Sequence, residues 1–210
     1  HVGPDGGLIQ PDAQLGDVKF IDFDGDGIIT TEGDRQFAGT GRAPWNGGLN
    51  LNVFYRSFDF TMNLFGNFGH HVFNGPKYLI EQAYGYDNFG TALLNAYDPV
   101  SNPDSNFPRN NPNDLDENWN SNPSSDRYLE KGSFVKASLI EVGYSLPNSL
   151  TDNIGVSSAR VSFSTQNLFT ITGYDGIDPQ QGRDGWFSAG IDRGTTPQYQ
   201  SFLLNLSVTF

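Results

Sequence analysis

The last nine residues of the chain alternate without a break. Phe202, Leu204, Leu206, Val208 and Phe210 fall on one face, and Leu203, Asn205, Ser207 and Thr209 on the other. A period of two belongs to a β-strand; a helix would scatter the same residues around its axis. The stretch stops on an aromatic residue with no polar tail. In water, a strand with a wholly apolar outer face invites edge-to-edge aggregation. In a bilayer the same strand is a wall element, because lipid covers its apolar face and neighbouring strands satisfy its backbone. The fold class this stretch predicts is all-β, a transmembrane antiparallel β-barrel.

The alternation recurs upstream. Leu49, Leu51, Val53 and Tyr55 share one face, with Asn50 and Asn52 on the other. After a pause at Arg56-Ser57, Phe58, Phe60, Met62 and Leu64 alternate with Asp59, Thr61 and Asn63, which predicts a tight hairpin, apolar outside and polar inside. A third strand is expected over Phe134 to Leu146 and ends at Pro147. A fourth is expected over Ala159 to Phe169, with Val161 and Phe163 outward and Arg160, Ser162, Ser164 and Gln166 inward. Between the hairpin and the third strand lies a long stretch dense in Asn, Pro, Ser and Asp, with a short helix expected over Tyr78 to Leu94. Short turns at one end of the strands and long loops at the other are the asymmetry of an outer-membrane barrel.

Residues 1–45 then read as an extracellular loop with an Asp-rich motif. Residues 46–210 read as the last five strands of a barrel, with long loops at 70–133 and 171–198. Five strands are too few to close a membrane barrel, whose bacterial single-chain forms have even numbers from about 8. The chain begins at His1 rather than Met and has no secretory leader, so the expectation is the C-terminal part of something longer.

Composition enters as a check. Seventeen Phe, nine Tyr and 25 Gly accompany a hydrophobic fraction of only 36%, which suits aromatic girdles, short apolar bands and polar loops. A soluble all-β sandwich has a similar composition and stays open on this ground. A formal net charge of −12 repels phosphate backbones and argues against nucleic-acid binding. The absence of Cys decides nothing about compartment.

The sharpest local motif is Asp22-Phe23-Asp24-Gly25-Asp26-Gly27-Ile28-Ile29. Acidic residues at positions 1, 3 and 5, Gly at 6 and a backbone carbonyl, here that of Ile28, follow the first half of a calcium loop. Alternate carboxylates converge on one hard cation, and Gly permits the sharp turn. Gly33 stands where the usual bidentate Glu belongs, flanked by Glu32 and Asp34. Asp22, Asp24, Asp26, Ile28, Glu32 and Asp34 are therefore the candidate Ca²⁺ ligands; the other reading is an acidic Asx-turn loop that needs no ion. His70 and His71 are adjacent and point to opposite faces of a strand, which disfavours one shared metal. No Ser–His–Asp or Cys–His arrangement stands out, and no two carboxylates are singled out for glycoside hydrolysis. Trp45, Tyr84, Tyr86, Trp119, Trp186 and Phe187 fall in segments assigned outside the cell, where aromatic faces suit sugar rings or a partner protein; the other reading, favoured for any single one of them, is loop packing or a girdle position near the membrane. Asn50, Asn52, Asn63, Gln166 and Asn205 would wet a lumen.

Three stretches resemble a known family, the SusC/RagA group of TonB-dependent outer-membrane transporters. Gly16-Asp17-Val18-Lys19-Phe20-Ile21-Asp22-Phe23-Asp24-Gly25-Asp26-Gly27-Ile28-Ile29 is similar to its Asp/Gly-rich segment. Gly132-Ser133-Phe134-Val135-Lys136 through Val142-Gly143-Tyr144-Ser145-Leu146-Pro147 resembles one of its strands. Gln166-Asn167-Leu168-Phe169-Thr170 followed by Tyr174-Asp175-Gly176-Ile177-Asp178-Pro179 resembles another, with Asp175 an insertion-like departure. The resemblance implies a 22-stranded barrel with an N-terminal plug, energised by TonB, in the outer membrane of a Gram-negative bacterium. It also implies a SusD-like surface lipoprotein as partner, glycans or peptides as cargo, and a terminal aromatic, Phe210, read by the barrel-assembly machinery. On this reading the chain is a transporter component and not an enzyme. The alternatives are a secreted β-sandwich that binds calcium and carbohydrate, and a surface hydrolase using carboxylates.

Overall fold

A computed structural model of the chain describes residues 2–3, 6–11, 13–82, 88–111, 120–180 and 189–210. Among them are nine strands: β1 (Trp45–Tyr55), β2 (Phe58–Phe68), β3 (His71–Asn74), β4 (Leu129–Lys131), β5 (Phe134–Ser145), β6 (Ser158–Gln166), β7 (Thr170–Thr172), β8 (Ile191–Asp192) and β9 (Ser201–Thr209). Two short helices accompany them, α1 (Gly75–Ile80) and α2 (Asn148–Thr151). The chain divides into two compact units, one of His1–Gly39 with Phe73–Leu129, the other of Thr40–Val72 with Glu130–Phe210.

The second unit is a wall. Its main sheet runs β1-β2-β5-β6-β9, with β7 pairing β5 beyond the end of β6. Every neighbouring pair is antiparallel. Arg56 and Ser57 join β1 to β2, with Arg56 in the left-handed region at φ 55°. Pro147 ends the run to β5 and heads α2, and the chain re-enters the sheet at Ser158 after Gly155 at φ 70°. Both short connections lie at the same end, where the Ser145 N–H donates to the Ser57 carbonyl at 2.8 Å. The connections at the opposite end are the long ones. The short strands β4, β3 and β8, in that order, form a small second sheet.

Alternation sets the two faces of the wall. Val142, Tyr144, Val161, Phe163, Leu204 and Leu206 are exposed on one side, while Gly143, Ser162 and Ser164 are buried on the other. Cross-strand neighbours on the apolar side touch: Phe58 and Tyr144 rings lie 4.7 Å apart, and Phe163 stacks on Phe202 at 6.3 Å. Each such pair contributes about 0.2–1 kcal/mol. The β9 stripe is open, with Leu204 76% and Leu206 69% exposed. A soluble sandwich would need a second sheet packed on that stripe, and among the described residues none lies there. Apolar-out, polar-in strands of this length are the construction of a transmembrane barrel wall.

The register is broken once between β2 and β5. Asn63 faces Leu139 and Leu64 faces Ala137, so Ser138 is passed over. Its hydroxyl instead donates to the Asn63 carbonyl at 3.1 Å. A bulge of this kind re-aims every side chain beyond it. Asn63 and Phe65 both face inward, so Leu139 and Lys136, opposite them, do too, although they are an odd number of residues apart. The Phe65–Phe134 edge-to-face contact at 5.7 Å sits on that same inner side.

Three expected boundaries shift. The fourth strand stops at Gln166, because Asn167 takes φ 53°, and resumes as β7. Trp45 opens β1 opposite Phe68 rather than lying in a loop. The helix expected over Tyr78 to Leu94 is α1, which starts earlier and is short: the Asn74 side chain accepts from the Lys77 N–H, and a Pro stands in the first turn. A separate turn of 3-10 helix covers Thr91–Asn95. The Asn74 cap and the Pro in the first turn set the earlier start.

The first unit is mostly irregular and is held by side chains. Phe73, Tyr78 and Tyr128 form an aromatic cluster with ring separations of 5.2 to 6.2 Å, and Tyr128 is fully buried. Arg127 lies over the Phe107 ring at 4.6 Å and pairs with Glu81 at 3.1 Å. Arg109 pairs with Asp17, and the Asn120 amide donates to the same carboxylate at 2.8 Å. Gly16 has φ 88° and the Tyr97 ring against it, where a Cβ would collide.

Candidate functional site

The Asp-rich motif folds into a compact turn. Asp22 accepts the N–H groups of Gly25 at 2.6 Å and Gly27 at 3.0 Å. Asp24 accepts from Asp26, and Asp26 from Ile28. These are successive Asx-type turns, which is why the carboxylates bend back toward one point. Asp34 completes the turn from the far side: its two oxygens accept from Phe23 at 2.7 Å and Thr30 at 2.6 Å. Those bonds, Thr30 first, hold the Asp34 carboxyl below the ordinary carboxylate range.

One carboxylate oxygen from each of Asp22, Asp24 and Asp34 lies within 4.8 Å of the others. Of the six candidate ligands, the structure brings these three together. Asp26 and Glu32 are outside the group, and Ile28 enters through its N–H to Asp26. Asp34 closes the group from the far side of the turn, one residue beyond the position where a calcium loop carries its bidentate Glu. Gly33 occupies position 12 because a Cβ there would run into Asp24 Oδ2 and Thr30 Oγ1. Three convergent carboxylate oxygens are of the donor type that suits a hard divalent cation.

The inner face of the wall carries the second group of polar residues. The Asn50 amide donates to Asn63 at 2.7 Å, Asn52 donates to Asn50 at 2.5 Å, and the Thr61 hydroxyl donates to Asn52 at 2.9 Å. The sequence placed Asn50, Asn52 and Asn63 inward, and they form one ladder across β1 and β2. Further along, Arg160 on β6 reaches over β5 to Asp59 on β2, at 3.0 Å through Nε, and holds Glu141 on β5 at 2.6 Å. This ion triad was not anticipated, though Asp59, Glu141 and Arg160 all sit at inward positions of the alternation. Trp45 is 74% exposed at the start of β1. Tyr84, Tyr86, Trp119, Trp186 and Phe187 lie outside the described residues.

No protein-family model matches the chain. Curated relatives do. TonB-dependent receptor P3 of Formosa agariphila is 29% identical over 205 residues, 95% of this chain and 19% of the relative. TonB-dependent receptor SusC of Bacteroides thetaiotaomicron is 28% identical over 192 residues, 91% of this chain and 17% of the relative. The RagAB peptide importer in its closed-closed state superposes with a TM-score of 0.73 over 100% of this chain and 20% of that one, at 21% identity. The chain is similar to a segment of the SusC/RagA-type TonB-dependent receptors. It spans about a fifth of the length of these relatives. The likeness to the RagAB structure carries the fold: the SusC/RagA-type segment is all-β, with an apolar-faced wall and long connections at one end.

Proposed function

We propose that the chain is part of the barrel wall of a TonB-dependent outer-membrane importer in a Gram-negative bacterium. The cargo would be glycans or other oligomeric nutrients, peptides included. The observation that carries the reading is similarity to TonB-dependent receptors along 95% of the chain. The apolar stripe of β9, turned outward, agrees with it. The segment's part in import is to supply wall, polar lumen and external loops. A SusD-like surface lipoprotein would close over those loops, and TonB would act through parts of the protein outside this chain. The whole barrel would have 22 strands, and Phe210 would be read by the barrel-assembly machinery.

The test uses the complete parent protein. Labelled oligosaccharides and peptides are offered to cells carrying or lacking the parent gene, in backgrounds with and without TonB. Uptake of one class that needs both is expected. A parent that partitions into the aqueous phase without detergent overturns the reading.

We further propose Ca²⁺ for the Asp22, Asp24 and Asp34 cluster, where it would tie the two halves of the turn. Calorimetry of the parent with calcium chloride is the check. Equal heats from the native protein and Asp24→Ala remove the site.

A further inference from the structure

Lys136 is buried, 2% exposed, on the inner side of β5. An ammonium in that position has to be hydrogen-bonded to be tolerated. It donates to the side-chain oxygens of two glutamines, Gln180 and Gln198, each at 2.9 Å. Asp178, also buried, grips the same two residues from the other side: its carboxylate accepts the Gln180 N–H at 2.9 Å and the Gln198 N–H at 3.4 Å. Each glutamine is thus held twice, by a cation at its side chain and an anion at its backbone. Opposite charges that do not touch are joined through two neutral amides. The neighbouring Pro179 is fully buried, which fixes the approach of the chain.

We infer that Lys136 and Asp178 are positioning residues, forming a buckle that fastens both limbs of the long loop before β9 to the wall. Gln180 and Gln198 both lie in the connection between β7 and β9, and the buckle holds both against one residue of β5. A second clasp inside the same connection, the Tyr174 hydroxyl to Asp192 at 2.7 Å, follows the same plan. The two motif stretches that contain Lys136 and Asp178 are far apart in sequence and meet here. The inference stands on wall geometry alone and does not need an import function.

Its test is limited trypsin digestion of the full-length parent in detergent. Arg193, exposed within the fastened loop, is the reporter, and Arg35, exposed in the other unit, is the control. Lys136→Met is expected to speed cleavage after Arg193 by about tenfold, on the scale of one lost charge-assisted hydrogen bond, and to leave Arg35 unchanged. Asp178→Asn is expected to act in the same direction. The double variant should be no faster than Lys136→Met, because both residues work through the same glutamines. If Lys136→Met does not assemble, Asp178→Asn opens the buckle from the loop side while Lys136 keeps both of its glutamine acceptors. Native cleavage rates at Arg193 in the assembled variants, or multiplicative effects of Lys136→Met and Asp178→Asn, overturn the inference.

Discussion

Gly143 lies directly beneath the Arg160 guanidinium. The two residues belong to paired strands, β5 and β6, and a Cβ on Gly143 would collide with Arg160 Nη2 and with both Asp59 oxygens. The bare backbone is the passage through which Arg160 crosses one strand to reach the next. Gly143→Ala is therefore expected to cost about 1–3 kcal/mol, the range for overpacking a filled site. Thermal unfolding of the parent barrel, followed by heat-modifiable mobility, checks it. A variant as stable as the native protein would mean that Arg160 can leave the triad freely.

The two faces of β9 predict opposite tolerances. Leu206→Arg places a cation on the lipid side, where it is expected to cost about 2–4 kcal/mol near the bilayer midplane. Asn205→Arg, one residue away and inward, is expected to assemble normally. The fraction of each variant recovered as folded protein from outer membranes is the measurement. Equal recovery would place lipid on neither face.

Asp34 gives a pH prediction with a definite sign. Its carboxyl is held below the ordinary 3.8 by the Thr30 and Phe23 N–H groups. A depressed folded value means that Asp34's contribution to the turn is complete above the unfolded value. It is lost as pH falls through the depressed one. Carbon-detected NMR of the Asp carboxyls should show Asp34 titrating below that reference, and Asp34→Asn should abolish the acid-induced change at Phe23 and Thr30.

Tyr174 behaves in the opposite sense. Burial first, and the Asp192 hydrogen bond second, push its phenol above the ordinary 10.0. A raised folded value gives stability that is complete below the unfolded value and lost as pH rises through the raised one. Tyr174→Phe leaves the buried Asp192 short of a donor and is expected to cost about 1–3 kcal/mol in the loop. Ultraviolet difference titration of the native protein against Tyr174→Phe should show the Tyr174 phenol ionising only above the ordinary 10.0.

Much of the wall was legible because period two is a local signal. Leu49 to Tyr55, Phe58 to Leu64 and Phe202 to Phe210 each carry their own face assignment, and the structure pairs them accordingly. The approach of Asp22 and Asp24 follows from their closeness in sequence, while Asp34 joins them across the turn and Asp26, Ile28 and Glu32, also named as candidate ligands, stand outside the group. What was not legible depends on partners far away. Lys136 and Gln198 are 62 residues apart, and nothing near either one announces the other. Trp45 looked like loop because its strand neighbours, Gly47 and Gly48, have no side chains to alternate.

The passed-over Ser138 has a further consequence. Side-chain direction along a strand works as a reading frame, and this residue is a frame shift. Toward Ser145 from it, odd-numbered residues of β5 face the lumen; toward Phe134, even-numbered ones do. Deleting Ser138 would join Leu139 directly to Ala137 and leave Lys136 and Phe134 facing inward in one unbroken alternation, whereas regular pairing with Ser138 retained would turn both outward, one a charge delivered to lipid and the other an aromatic lost from the interior. One unpaired serine therefore decides which half of the strand a hydropathy profile reads correctly.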